Sequence, residues 1–234
     1  MGIYKDEHGQ TPTLESVKQA ERRILEQAKT KTYLPIPGAP EFGTAVRTLL
    51  FSRDHPVTNA NRACTAHTPG GTGALRVASD FIKRCFGTAC VWASEPTWAN
   101  HAAIFEAAGL SVKTYPYYEA ETKTLNFTAM MRALETAEQG DILLLHACCH
   151  NPSGVDLTLE QWYATADLAK ARGLLPLVDF AYQGFGNGLE EDAAGVRLLC
   201  ECVDEALVCS SYSKNFGLYQ DRCGALTLVG ASTE

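Results

Sequence analysis

The chain has 234 residues, of which 46% are hydrophobic and 20% are charged, and its formal net charge is -7. This length and composition are typical of a soluble domain with a substantial core, and the acidic balance argues against nucleic acid as a partner. The nine cysteines are scattered through apolar stretches, and neither a secretory signal nor a membrane-length apolar run is visible, so we expect reduced thiols and no membrane partner.

The first forty residues are rich in Pro, Lys and Glu. We expect a helix over residues 14–28 and then a stiff segment at 33–43, where the sequence is YLPIPGAPEFG. Segments of this kind more often wrap around a domain than build its core.

From about residue 65 onward, apolar strand-like runs alternate with amphipathic helical runs. Thr158 and Gln161 have the spacing of a helix capping box, and the strand at 111–118 is expected at an edge. The alternation predicts an α/β fold with a mainly parallel sheet sandwiched by helices. In chain order the predicted elements are helix 74–86, strand 89–94, helix 101–110, strand 111–118, helix 128–139, strand 141–149, helix 158–173, strand 174–180, helix 195–201, strand 206–214 and strand 224–230.

A glycine-rich turn at residues 70–73 opens the first of these later helices. Its backbone N–H groups and the positive end of the helix suit a phosphate, although a plain glycine turn is the alternative. A dinucleotide-binding fingerprint is not complete, because Arg76 occupies the position of the third glycine.

Ligands of open α/β sheets bind beyond the carboxyl ends of the strands. Asp179 ends one strand and Tyr182 comes three residues later. A buried carboxylate there requires a cationic partner such as a protonated pyridine nitrogen, unless it is a helix cap or a structural ion pair. Lys214 follows another strand, where an amine can form a Schiff base or simply be solvated. Arg222 could bind a phosphate or pair with an acid.

Three further groups have both a functional and an ordinary interpretation. Trp98 could offer a flat apolar face or pack in the core, and Asn151 could bind a ligand oxygen or start an Asn-Pro turn. Cys148, Cys149 and His150 are adjacent and lack the spacing of common zinc sites, so we expect no metal.

Together and in this order, the segments resemble the aspartate and aromatic amino acid aminotransferases, which are class I, fold type I enzymes dependent on pyridoxal 5'-phosphate. The resemblance runs from about residue 2 to the last residue. It is carried by the segments TPGGTGALR, EPTWANH, CCHNPSGVD, DFAYQGF and SSYSKNFGLYQDR.

The resemblance implies a role for each candidate residue. Lys214 would form the Schiff base and move the substrate proton, Asp179 would pair with the pyridine nitrogen, and His101 would support Asp179. The implied ligands of the cofactor ring are Trp98, Asn151 and Tyr182. Those of the phosphate are Gly71, Thr72, Ser211 and Arg222, with Tyr33 reaching the phosphate of a neighbouring subunit in a homodimer. The implied substrate residues are Gly2, Trp98 and Asn151.

The resemblance also implies a domain organisation. Residues 1–12 would be the remnant of an N-terminal small-domain segment, and residues 13–234 would be the large cofactor-binding domain, incomplete at its C-terminal end. The C-terminal small domain, with both substrate-binding arginines, would be absent.

The resemblance therefore implies transamination between an L-amino acid, aspartate or aromatic, and 2-oxoglutarate by a ping-pong mechanism. The alternative is a truncated, non-catalytic form that acts only as a dimerising or regulatory partner. A nicotinamide-dependent dehydrogenase is a third interpretation, and Arg76 and Lys214 count against it. We expect a cytoplasmic location, or a mitochondrial or other organelle matrix if a targeting peptide is missing.

Overall fold

The structure, a computed structural model, describes residues 2–232. The first residue of the predicted N-terminal segment and the last two of the predicted large domain lie outside this range. Within that range, seven strands form one sheet and two short strands form a hairpin. The strands of the sheet are β1 Ala63–Pro69, β2 Cys90–Glu95, β3 Ser111–Pro116, β6 Ile142–His146, β7 Leu175–Phe180, β8 Ala206–Ser211 and β9 Cys223–Val229, and those of the hairpin are β4 Tyr118–Glu119 and β5 Thr124–Leu125.

Helices cover both faces of this sheet, and none of those within residues 2–232 is long and apolar enough to cross a membrane. The predicted helix at 14–28 is confirmed, and so is the capping box of Thr158 and Gln161 at the start of α7. The helices are α1 Glu15–Gln27, α2 Pro40–Phe51, α3 Pro56–Asn59, α4 Gly70–Phe86, α5 Asn100–Ala107, α6 Phe127–Leu134, α7 Leu159–Arg172 and α8 Ala194–Cys202.

The core is divided by the sheet because successive residues of a strand point to opposite faces. In β6, Leu143 and Leu145 pack into a cluster with side chains of α2, α6, α7 and α8, whereas Ile142 and Leu144 pack with side chains of α4 and α5. Burying a side chain of this size contributes about 1.5–3 kcal/mol. The continuous apolar sequence of β6 is thus explained by burial on both faces.

The strands lie in the order β1-β9-β8-β7-β6-β2-β3, with β3 at an edge as expected. The pairings among β8, β7, β6, β2 and β3 are parallel, and β9 is antiparallel to both of its neighbours. The predicted α/β fold with a mainly parallel sheet between helices is confirmed.

The antiparallel strand β9 has a consequence for the position of the glycine turn. Because β9 is antiparallel to both β1 and β8, those two strands run in the same direction. The end of β1 at Pro69, where α4 begins, therefore lies at the same edge of the sheet as the end of β8 at Ser211. The glycine turn before α4 and the loop that carries Lys214 therefore meet at this edge of the sheet.

Several boundaries differ from the predictions. Helix α2 was not predicted from the sequence, because residues 40–43 were assigned to the stiff segment at 33–43, yet Pro40 is well suited to the first position of a helix. The helix predicted at 128–139 ends at Leu134. The chain leaves the helical pattern in a turn, in which the N–H groups of Thr136 and Ala137 bond to carbonyls three residues back and Glu138 donates to Asp141 at 3.1 Å.

The N-terminal segment is peripheral, as expected. All residues of α1 are exposed except the half-buried Val17, and Tyr33 and Ile36 in the following segment are fully exposed. This region presents apolar side chains to the outside of the described chain.

Candidate functional site

A pocket opens at the carboxyl edge of the parallel strands, as the sequence predicted for this type of sheet. It brings together residues that lie up to about 150 positions apart in the chain, between Gly71 and Arg222. Its lining includes nine of the predicted site residues, which are Gly71, Thr72, Trp98, Asn151, Asp179, Tyr182, Ser211, Lys214 and Arg222.

One end of the pocket is a cradle for an anion. Arg222 lies against Gly70, where a Cβ atom would be 2.5 Å from its Nη2 atom, so the close approach requires a glycine. The guanidinium is held by hydrogen bonds that Nη1 donates to the Ser213 hydroxyl at 3.1 Å and to the Tyr219 carbonyl at 3.0 Å. A planar, permanently charged fork in this position is suited to phosphate oxygens.

The start of α4 forms the other side of this cradle. A Cβ atom on Gly71 would lie 2.9 Å from the Cβ atom of Ser211, so the helix can approach β8 this closely only with glycine at that position. The 17-residue helix directs its unpaired N–H groups and the positive end of its dipole at the pocket. Positive potential, backbone donors and the serine hydroxyl therefore converge on one place.

Asp179, at the end of β7, is the acidic group of the pocket. Its Oδ2 atom is 3.0 Å from Nε2 of His101, a side chain with no exposure to solvent. Burial opposes ionisation of Asp179 and is the largest single influence. The hydrogen bond from His101 and the positive charge of Lys214 nevertheless hold the pKa of this carboxyl below its ordinary value.

A chain of hydrogen bonds continues behind His101. Its Nδ1 atom is 2.8 Å from the Thr97 hydroxyl, which is 3.1 Å from Nε2 of His146, and the backbone N–H of Asn151 points at Nδ1 of His146 from 3.5 Å. Burial lowers the pKa of His146 to about 4, so this ring is neutral at neutral pH.

The proton positions follow from the two ends of that chain. Asp179 is an acceptor, so His101 donates from Nε2, and the neutral form of this ring accepts the Thr97 hydroxyl proton at Nδ1. Thr97 then accepts from Nε2 of His146, which leaves Nδ1 of His146 as the acceptor facing Asn151. Every donor in the chain points toward Asp179, and this keeps the carboxylate in its ionised form.

Lys214 projects into the pocket just after β8. Its ammonium nitrogen lies 4.4 Å from the centre of the Tyr182 ring, within cation–π distance. Gly2 lies nearby, since a Cβ atom there would be 3.9 Å from Cε of Lys214. The predicted substrate residue Gly2 is thus next to the predicted nucleophile, whereas the exposed Tyr33 is not part of this pocket.

Sequence reasoning missed other residues of the pocket wall. Ser213 and Tyr219 belong to the same loop as Lys214, and Ala181 lies between Asp179 and Tyr182, so proximity in sequence was an available signal. Leu75 and Cys148 each lie three positions from a predicted site residue, and His146 ends β6, so sequence position was a signal for these as well. The missed lining residues are Leu75, His146, Cys148, Ala181, Ser213 and Tyr219.

The donor set defines the type of group that fits. The cradle around Arg222 matches a phosphate, the ionised Asp179 matches a protonated ring nitrogen, and the Lys214 amine can react with an aldehyde. The three functions lie in one pocket. A phosphorylated heteroaromatic aldehyde would use all of them. Among residues 2–232, no cluster of three or more His, Cys, Asp or Glu side chains is placed to hold a metal ion.

Comparison with known proteins gives a consistent picture. Residues 1–232 match the family described as aminotransferase class I and II. The chain is 54% identical over 234 residues to the aspartate aminotransferase of Escherichia coli K12, covering 100% of this chain and 59% of that protein. It is 50% identical to the aromatic-amino-acid aminotransferase of Pseudomonas aeruginosa, covering 100% of this chain and 58% of that protein.

A solved structure is similar over the whole fold. The aromatic-amino-acid aminotransferase from Burkholderia pseudomallei, described as covalently bound to pyridoxal phosphate, superposes with a TM-score of 0.96 at 45% identity. The superposition covers 100% of this chain and 58% of that one. The chain thus spans about 59% of the length of the curated relatives that it matches.

Proposed function

Because this chain belongs to the class I and II aminotransferase family, we propose that a protein containing it transfers an amino group between an L-amino acid and a 2-oxo acid with pyridoxal 5'-phosphate as cofactor. The observation that carries the proposal is the convergence of Lys214, Asp179 and Arg222 on one pocket. Each provides one of the three functions that this cofactor requires of a protein.

Pyridoxal phosphate, when bound, supplies an electron-withdrawing ring that stabilises negative charge on the substrate carbon. Asp179 would keep the ring nitrogen protonated, which its lowered pKa and its hydrogen bond from His101 favour. Arg222 and the N-terminal amides of α4 would hold the phosphate, and Trp98 would cover the ring.

The Nζ atom of Lys214 would have two roles. It would hold the cofactor covalently in the resting enzyme, and once free it would move a proton to and from the substrate carbon. The hydroxyl of Tyr182 and the amide of Asn151 would donate hydrogen bonds to the phenolic oxygen of the cofactor. Gly2 would leave room for the substrate beside Lys214.

The proposed substrates are aspartate or an aromatic amino acid, with 2-oxoglutarate as the amino-group acceptor in a ping-pong cycle. Relatives named for both amino acid classes support this range, at 54% identity for aspartate and 50% for the aromatic class. One pocket would serve both half-reactions in turn.

We also propose a homodimer in which Tyr33 reaches the phosphate of the neighbouring site. Tyr33 and Ile36 are fully exposed, and Leu25 on α1 is 81% exposed, so the segment offers apolar side chains for a second copy to cover. The division at residue 12 and the cytoplasmic location remain predictions.

The experiment is a turnover assay on the whole protein saturated with pyridoxal phosphate. Aspartate, tyrosine and phenylalanine are each offered with 2-oxoglutarate, and the glutamate formed is measured. We expect glutamate to form with at least one of them. Failure with all three would contradict the proposed function, and cofactor retention without turnover would favour the non-catalytic alternative.

A further inference from the structure

The loop that carries Asn151 is held from two sides. It follows β6 and extends over residues 147–157. Cys149, two residues before Asn151, has a positive φ of 48°, a conformation that is unfavourable for a non-glycine residue. The loop therefore needs specific contacts to keep this shape.

Asp156 provides the contacts on the exposed side. Its two carboxylate oxygens accept hydrogen bonds from the backbone N–H groups of Cys149 at 2.7 Å and of His150 at 2.8 Å. A carboxylate that accepts two adjacent backbone N–H groups fixes the orientation of both peptides. The next residue along the chain is Asn151, so its direction depends on this pair of bonds.

His150 provides the contacts on the buried side. Its Nε2 atom is 2.8 Å from the hydroxyl of Ser94 on β2, and its Nδ1 atom is 2.8 Å from the hydroxyl of Ser153. The ring also stacks on Tyr117 at 4.0 Å. Burial lowers the pKa of His150 to about 3, so the ring stays neutral and can donate at one nitrogen while it accepts at the other. The span from residue 150 to 153 is thereby tied to the sheet.

We propose that Asp156 is a positioning residue that, together with the imidazole of His150, holds the carboxamide of Asn151 at the cofactor ring. Asp156 is exposed, lies outside the pocket lining and acts through the backbone. This inference rests on the proposed function, because Asn151 has a catalytic consequence only if it faces the phenolic oxygen of the cofactor.

The test uses the whole protein loaded with pyridoxal phosphate and follows the pH dependence of the cofactor absorption band. This band titrates with the Lys214 nitrogen that is bonded to the cofactor. A hydrogen bond from Asn151 stabilises the anionic ring oxygen beside that nitrogen, so it disfavours the compensating proton on the nitrogen and lowers its pKa. Loss of that bond in Asp156→Ala should therefore raise the pKa of the band by about one unit, as in Asn151→Ala, and lower kcat/KM about tenfold. Asp156→Asn, which keeps one acceptor oxygen, should give an intermediate pKa.

A double variant separates positioning from general damage. In an Asn151→Ala background, Asp156→Ala should cause no further shift of the band, because the group that it positions has been removed. The control Asp167→Ala, an exposed acid on α7, should leave the band unchanged. An unshifted band in Asp156→Ala, or an undiminished shift in the double variant, would overturn the proposal.

A second measurement does not depend on the cofactor. Amide hydrogen exchange in residues 147–157 should be faster in Asp156→Ala than in the unsubstituted protein, because two backbone hydrogen bonds are lost. If the unsubstituted protein showed no pH-sensitive band, the proposed function would fail, while accelerated exchange would still support the positioning role of Asp156. Unchanged exchange would overturn the positioning role of Asp156, whatever the absorption measurement shows.

Discussion

His101 and Asp179 are joined by a hydrogen bond of 3.0 Å, in which the His101 side chain is fully buried and Asp179 faces the pocket. The histidine is itself oriented by Thr97 and, through it, by His146. An acid at a strand end thus has a fixed series of hydrogen-bond donors behind it. The ionised state of Asp179 is a property of this arrangement and not of the carboxylate alone.

The first prediction concerns pH. In His101→Leu, Asp179 loses the hydrogen bond that favours its charged form, so its pKa should rise. Because the ionised carboxylate is the active form, the acid limb of the kcat/KM profile should move to higher pH. The measurement is the pH profile of the whole protein with its best amino acid substrate. A profile whose acid limb coincides with that of the unsubstituted protein would contradict the role of His101.

The second prediction concerns Lys214. In Lys214→Ala, turnover should fall by on the order of a thousandfold or more, since the residue both holds the cofactor and moves the proton. Lys214→Arg keeps a positive charge near Asp179 but cannot react with an aldehyde, so it should be equally inactive. Lys170→Ala, on the exposed surface of α7, serves as the control. Activity in the arginine variant close to that of the control would show that charge alone is sufficient.

Much of the site could be predicted because its residues lie directly after apolar strands. Asp179 lies at the end of β7 and Lys214 lies just after β8, both strands are buried on both faces, and the parallel arrangement brings such ends together. The helix signals were also local, as the capping box at Thr158 and the left-handed Gly173 at the end of α7 illustrate.

The parts that could not be predicted depend on contacts between distant segments. Strand β1 has no continuous or alternating apolar pattern, and it is defined by pairing with β9, where Ala63 pairs with Val229. His146 has an inward polar side chain at the end of an apolar strand, and its role appears only when Thr97 is brought within 3.1 Å. Neither relationship leaves a periodic signal in the sequence.

The third prediction separates the charge of Arg222 from its backbone conformation. The residue has a φ of 54°, which disfavours an L side chain but not glycine. Arg222→Gly should therefore be more stable toward unfolding than Arg222→Ala by about 1 kcal/mol. Both should bind pyridoxal phosphate about 10- to 100-fold more weakly, because a charge-assisted hydrogen bond to the phosphate is lost. Cofactor titration and urea unfolding measure the two effects, and equal stability of the two variants would contradict the argument from φ.

The fourth prediction concerns the loop after Tyr182, which Asp192 organises. Its carboxylate accepts hydrogen bonds from the backbone N–H groups of Gly184 at 2.8 Å, Gly186 at 3.0 Å and Asn187 at 2.8 Å. Burial opposes ionisation and is the largest influence, but these donors together hold the pKa of Asp192 below its ordinary value of 3.8. Asp192→Asn should lower the free energy of unfolding by about 1–3 kcal/mol at neutral pH.

The sign of the pH dependence follows from the lowered pKa of Asp192. A carboxyl whose pKa is lower in the folded state stabilises the fold above its unfolded-state pKa, and this contribution disappears as the pH falls through the folded-state pKa. The difference between Asp192→Asn and the unsubstituted protein should therefore be largest at about pH 7 and should shrink toward about pH 3. Urea unfolding at both pH values measures it, with the exposed Asp167→Asn as the matched control. A difference that stays constant between the two pH values would mean that the charge of Asp192 does not stabilise the loop, and that its hydrogen bonds act equally well in the neutral form.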